Sequence, residues 1–148
     1  MTRRAPASPS PEALCLRGTN LTNRRRHPED VARGIALLKR AHRLGDVCAA
    51  HNLAVTYSEQ GNRRCCAYWL RQSLKTADPS WFLLAIAHAA GYGVRRDLSV
   101  AARLFRKVAD DPGAFPIERE ESLAFLAMLR RGLPIRIAGS LGRTHPVF

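Results

Sequence analysis

Residues Leu84–Ala109 read LAIAHAAGYGVRRDLSVAARLFRKVA, and their spacing decides the fold. Apolar residues recur at helical spacing before and after a Gly91-Tyr92-Gly93-Val94 interruption, which predicts two amphipathic helices of about three turns each. Gly91 and Gly93 permit positive φ where the chain must reverse. Asp97 or Ser99 can cap the second helix by accepting from its orphan amides. Ala85, Ala101 and Ala109 leave room for two backbones to approach, while Leu84, Leu104 and Phe105 fill the seam. Such a pair has one apolar side too many to stand alone. It must stack on a similar pair.

Weaker copies lie upstream. Leu53-Ala54-x-x-Tyr57 repeats the first-helix pattern, with Cys66, Trp69, Leu70, Gln72 and Ser73 on a second helix. Ser58-Glu59-Gln60-Gly61-Asn62 makes a tighter connection there. Asp30, Gly34, Leu37, Leu38, Arg40 and Ala41 repeat the later second helix at an offset of 67 residues, and Pro11 to Leu21 is the one candidate for its partner. Downstream, Pro116 suits a first helical position and Glu118, Glu120 and Glu121 crowd the positive end of a helix dipole. Leu123, Phe125, Leu126, Met128 and Leu129 form its apolar side, and Gly132 with Pro134 ends it.

The stretch 84–109 resembles the Sel-like repeat, a relative of the tetratricopeptide repeat. That family's pattern is Leu-Gly-x-x-Tyr-x-x-Gly-x-Gly-Val-x-x-Asp followed by Lys-Ala-x-x-Trp-Tyr-x-Lys-Ala-Ala. Leu84 and Ala85 take the Leu-Gly positions, and His88 stands where Tyr is usual. Gly91, Gly93, Val94 and Asp97 match the turn, and Ala101, Leu104, Phe105, Lys107 and Ala109 fall on the second helix. The resemblance covers roughly residues 28–131. It implies an all-α chain: a short right-handed α-α superhelix, or solenoid, of two to three helical hairpins with a C-terminal capping helix. It also implies a non-enzymatic scaffold or adaptor that grips a protein or peptide on the concave face. Bacterial proteins of this family serve as signalling adaptors, as regulators of envelope processes and as partners or immunity factors beside secreted toxins. His51, Asn52, Val55, Trp81 and Arg95 are the expected partner-binding residues.

Composition narrows the alternatives. The chain has 148 residues and a net charge of +12, with 21 arginines against 3 lysines. Residues 1–26 carry +5 and residues 132–148 carry +2, so more than half the excess lies toward the ends. Residues 1–27 and 132–148 are expected to be flexible tails with little to bury, flanking a repeat domain over 28–131. Arginine-rich tails make nucleic acid the alternative partner. Arg63-Arg64, Arg95-Arg96 and Arg106-Lys107 add basic pairs within the body, although basic residues near a helix end also complement its dipole. No apolar run reaches the ~20 residues that span a bilayer. The opening MTRRAPASPSPEALCLRG is basic but has no apolar core, so a cytoplasmic location is expected.

Neither a metal nor a cofactor is expected. Cys15, Cys48, Cys65 and Cys66 lack the paired spacing of a structural zinc site. Cys66 takes the small-residue position of Ala101, and the four are read as free, buried or half-buried thiols. Cys48-x2-His51 has metal-like spacing but no second pair, and no acid or oxyanion donor stands beside it. Gly91-Tyr92-Gly93 lacks the Lys-Ser/Thr of a phosphate loop. The three glutamates from 118 to 121 are explained by their place in a first helical turn. No catalytic constellation emerges. His88, on a packing position, reads as a packed, hydrogen-bonded histidine. Trp69 reads as core. WFLLAIAHAA, apolar nearly all round, reads as a helix buried on two sides and begun by Asp78-Pro79.

Overall fold

A computed structural model describes residues 7–24, 27–136 and 141. The described residues form seven helices and no strand. They are α1 (Pro11–Arg24), α2 (Pro28–Arg43), α3 (Ala49–Glu59), α4 (Arg63–Ser73), α5 (Trp81–Ala90), α6 (Leu98–Asp110) and α7 (Pro116–Arg130). The all-α class is as expected. Consecutive helices pack as hairpins, α1 on α2, α3 on α4 and α5 on α6, and α7 packs on α6.

The third hairpin forms as its sequence requires. Gly91 ends α5 in the left-handed region at φ 71°, and the Asp97 carboxylate caps α6 by accepting from the Val100 amide at 2.9 Å. Such a cap contributes about 1 kcal/mol, whereas truncating a buried Phe costs about 3–5 kcal/mol. The apolar seam therefore dominates. Phe105, fully buried, stacks on Phe125 of α7 with centroids 4.9 Å apart, and Phe82 of α5 meets both rings at 6.2 Å. Three phenyl groups thus tie α5, α6 and α7 into one core.

The turn between α5 and α6 also reaches sideways. A Cβ on Gly93, whose φ is 69°, would collide with the Arg63 carbonyl oxygen and lie 3.0 Å from the Ala67 Cβ. Gly93 is therefore fixed twice, by its backbone conformation and by its contact with the first turn of α4. The intervening Tyr92 is buried and donates its hydroxyl to the Ser58 carbonyl at 3.2 Å, while the Arg63 guanidinium lies 5.0 Å from its ring centroid.

Both supposed tails need correction. Residues 11–24 form α1, because one face carries Leu14, Cys15, Gly18 and Thr22, all buried. Backbones touch where Gly18 faces Gly34: a Cβ on Gly34 would lie 2.7 Å from the Gly18 carbonyl oxygen. Small residues do this packing, so a search for large apolar side chains passes over it. At the other end, Ile135 and Leu141 are buried, and the Leu141 amide donates to Ser58 Oγ at 2.7 Å. Arg3, Arg4, Arg25, Arg26, Arg143 and His145 lie outside the described residues.

Smaller expectations shift too. α5 begins at Trp81 with Ser80 at its N-cap, so Asp78-Pro79 lies ahead of the helix. Ser58 and Glu59 belong to α3, leaving Gln60–Asn62 as the turn. All four cysteines are free, but Cys48 is exposed. Cys66 is buried at the small-residue position, and burial pushes its thiol up to about 12. His88 is half-buried, yet its Nδ1 has no hydrogen-bond partner among the described residues. Trp69 is core, edge-on to His42 at 5.2 Å.

Glycine at 93 separates backbone strain from packing. Gly93→Ala should lower unfolding free energy by about 2–3 kcal/mol in urea titration, strain plus collision. Gly132→Ala, at φ 67° with open space around it, should lose only about 1 kcal/mol. Equal losses would mean that the contact with α4 contributes nothing.

Candidate functional site

The N-termini of α3, α5 and α7 lie along one side of a cleft of about 400 Å³, and the end of α6 closes it. The N-cap positions of these three helices, Cys48, Ser80 and Phe115, all line it. They are 32 and 35 residues apart, one hairpin each. Repetition of the hairpin thus brings three distant chain positions to one place.

Three of the five expected binding residues meet here. His51, Asn52 and Trp81 line the cleft. Val55 does not: it is a half-buried residue of α3 packed against the core. Arg95 is exposed beyond the opposite end of α5 from Trp81. The repeat-defining residues Leu84, Ala101, Phe105 and Ala109 are buried, Val94 is half-buried, and Gly91, Gly93 and Asp97 form the turn and cap.

Two of the cleft residues also hold the frame. Asn52 Nδ2 donates to Thr19 Oγ1 at 3.0 Å and to Cys15 Sγ at 3.5 Å, so it fastens α3 to α1. His51 Nδ1 and Ser80 Oγ are 2.9 Å apart. The Ser80 amide in turn donates to Ser73 Oγ at 3.2 Å, and that hydroxyl donates to the Leu70 carbonyl at 2.6 Å. A polar chain therefore runs from α3 across the α4–α5 connection. Asp46, a buried carboxylate, accepts from the amides of Cys48 at 3.0 Å and Ala49 at 2.8 Å and orients the start of α3.

The charge of the cleft is opposite to that of the whole chain. Asp78, Asp111 and Glu118 line it. Burial raises the Glu118 carboxyl above its ordinary range, and Asp78 and Glu121 push the same way. Burial also raises the Cys48 thiol, with Asp46 and Asp78 adding to it. Burial lowers the His51 imidazole, against the pull of Asp78. Asp78 is thus felt by three of its neighbours. The Cys48 thiol is held protonated, the wrong direction for a nucleophile or a metal ligand. Trp81 supplies the aromatic element, with Lys107 Nζ 4.0 Å from its ring centroid. Such a site can hold a polypeptide segment by an indole contact and carboxylate hydrogen bonds.

Asp46, Asp78, Ser80, Asp111, Phe115 and Glu118, which also line or shape this place, are not among the expected binding residues. The signal was the near-equal spacing of Cys48, Ser80 and Phe115 along the chain. Comparison with protein-family models, with curated proteins and with solved structures gives no significant match. Among the described residues no group of three or more histidine, cysteine or acidic side chains is placed to hold a metal ion. No helix among them is long and apolar enough to cross a membrane.

His51 makes stability depend on pH. Its imidazole takes up a proton less readily folded than unfolded, so its contribution is complete above the ordinary histidine range and is lost as pH falls through it. In thermal unfolding from about pH 8 to about pH 5, His51→Gln should lose less Tm than the native chain. Parallel curves would show that the buried imidazole does not titrate with folding.

Proposed function

We propose that this chain is a non-enzymatic protein-interaction scaffold built from Sel-like repeats, its hairpins forming a short right-handed superhelix with α7 as the capping helix. It works in the cytoplasm of a bacterium, as a regulatory adaptor or as an immunity-type partner of a toxin. The cleft carries this reading. It gathers the half-buried indole of Trp81, three carboxylates and the N-terminal ends of three helices, while burial holds its one thiol away from the thiolate form. These features suit the capture of a polypeptide segment better than catalysis.

The sign of the charge favours protein over nucleic acid at this place. A phosphate backbone would meet Asp78, Asp111 and Glu118, and like charges repel at close range. The basic ends of the chain remain the alternative source of nucleic-acid affinity.

The native chain, immobilised and exposed to an extract of its source cells with nuclease present, should retain a discrete protein at low and at high salt. Trp81→Ala and Asp78→Lys should each weaken that capture by about tenfold or more while both variants remain folded and helical by circular dichroism. Capture of nucleic acid alone, or of a protein that both variants retain equally, would overturn the cleft as the binding place.

A further inference from the structure

A second surface lies on the flank of α7. α1, α3 and α5 are each followed by a helix packed against them, α2, α4 and α6. α7 is preceded by α6, and among the described residues no later helix packs beside it. The described part of the following segment goes elsewhere, since Ile135 is buried and the Leu141 amide reaches Ser58 of α3. What remains is a groove of about 460 Å³ between the first half of α6 and the last half of α7.

Its floor is apolar and its rim is cationic. Leu98 and Ala102 of α6 face Leu126 and Leu129 of α7, and Leu98 is exposed. Arg103, Arg106 and Arg130 stand around them, all exposed. None of the three arginines has an ion-pair partner among the described residues, apart from the weak pull of Arg103 on the capping Asp97 carboxylate.

We infer that this groove takes an amphipathic helix of a partner protein, its apolar side on Leu98, Ala102, Leu126 and Leu129 and its acidic flank against Arg103, Arg106 and Arg130. The helix lies where the second helix of a fourth hairpin would lie. Its apolar residues fall at i, i+3, i+4 and i+7, and its carboxylates pair with guanidinium groups that otherwise face only water. The inference rests on the scaffold reading but concerns a surface apart from the cleft.

Charge selects this occupant over two others. A second copy of the chain also carries +12, and the outer face of its α7 mixes Glu120 with Arg119 and Arg130, so it offers no acidic flank. Nucleic acid could satisfy the arginines, but phosphates and sugars leave the four-residue apolar floor without a partner.

The probe is a synthetic helix-forming peptide of about 14 residues, leucines on one face and glutamates on the flanks, titrated into the whole ¹⁵N-labelled chain. A lysine-flanked version and a scrambled version of the same composition serve as controls. The glutamate peptide should shift the amides of Leu98, Ala102, Leu126 and Leu129, and the controls should not. Reversing the rim with Arg106→Glu and Arg130→Glu should weaken the glutamate peptide by about 10–100-fold and confer binding of the lysine peptide. Gain of the lysine peptide shows that the reversed chain is still folded. Equal binding of both peptides to the native chain, or shifts confined to Trp81 and its neighbours, would overturn the inference. So would self-association or an oligonucleotide that shifts the same four amides. Trp81→Ala should leave the glutamate peptide's affinity unchanged, so loss of the cleft reading and loss of this one are separate results.

Discussion

The position of the third hairpin depends on the contact between the Gly91-Tyr92-Gly93 turn and the hairpin before it. Gly93 lies against the Arg63 carbonyl, and Tyr92 reaches the Ser58 carbonyl beneath the Arg63 guanidinium. Ser58 is the meeting point: its carbonyl takes the tyrosine, its hydroxyl takes the Leu141 amide, and it lies beside the Cys66 thiol. α4 and α5 touch only sparsely elsewhere, so this turn and the polar chain at the far end of α5 set the angle between two hairpins.

That far end is the cleft. With one end of α5 held at Ser58, the hydrogen bond between His51 and Ser80 holds the other. The same residues that keep α3 and α5 in register therefore shape the place where a partner is proposed to bind. The frame and the proposed binding place share those residues. The consequence is chemical as well: desolvation that neutralises His51 and protonates Glu118 and Cys48 more readily is a by-product of close packing at the helix starts.

Charge is partitioned over the molecule in a way that the net value conceals. A chain of +12 presents Asp78, Asp111 and Glu118 at one end of the α6–α7 pair and Arg103, Arg106 and Arg130 toward the other. α7 spans the two, with its acidic first turns toward the cleft and Arg130 at the groove. Ordinary dipole complementarity places those charges along the helix, and the packing of α7 on α6 turns them into two surfaces of opposite sign.

The third hairpin was fully legible in the residues. Two glycines, an aspartate cap and a run of alanines and leucines have one economical arrangement in three dimensions, because positive φ, orphan amides and a buried seam are local demands. The packing of α1, a candidate helix over Pro11 to Leu21, was not legible, since its contact with α2 depends on Gly18 meeting Gly34, and small residues carry no hydrophobic signature. Nor was the anchoring of Leu141, whose partner lies 83 residues away. Asn52 and His51, expected as partner-binding residues, also act as struts, which their spacing did not show. The sequence by itself determined the all-α class and the turn and cap of the third hairpin. Only the tertiary structure decided that three helix starts and an acidic rim converge, because convergence depends on the angles between hairpins, and those are set by contacts far apart in the chain.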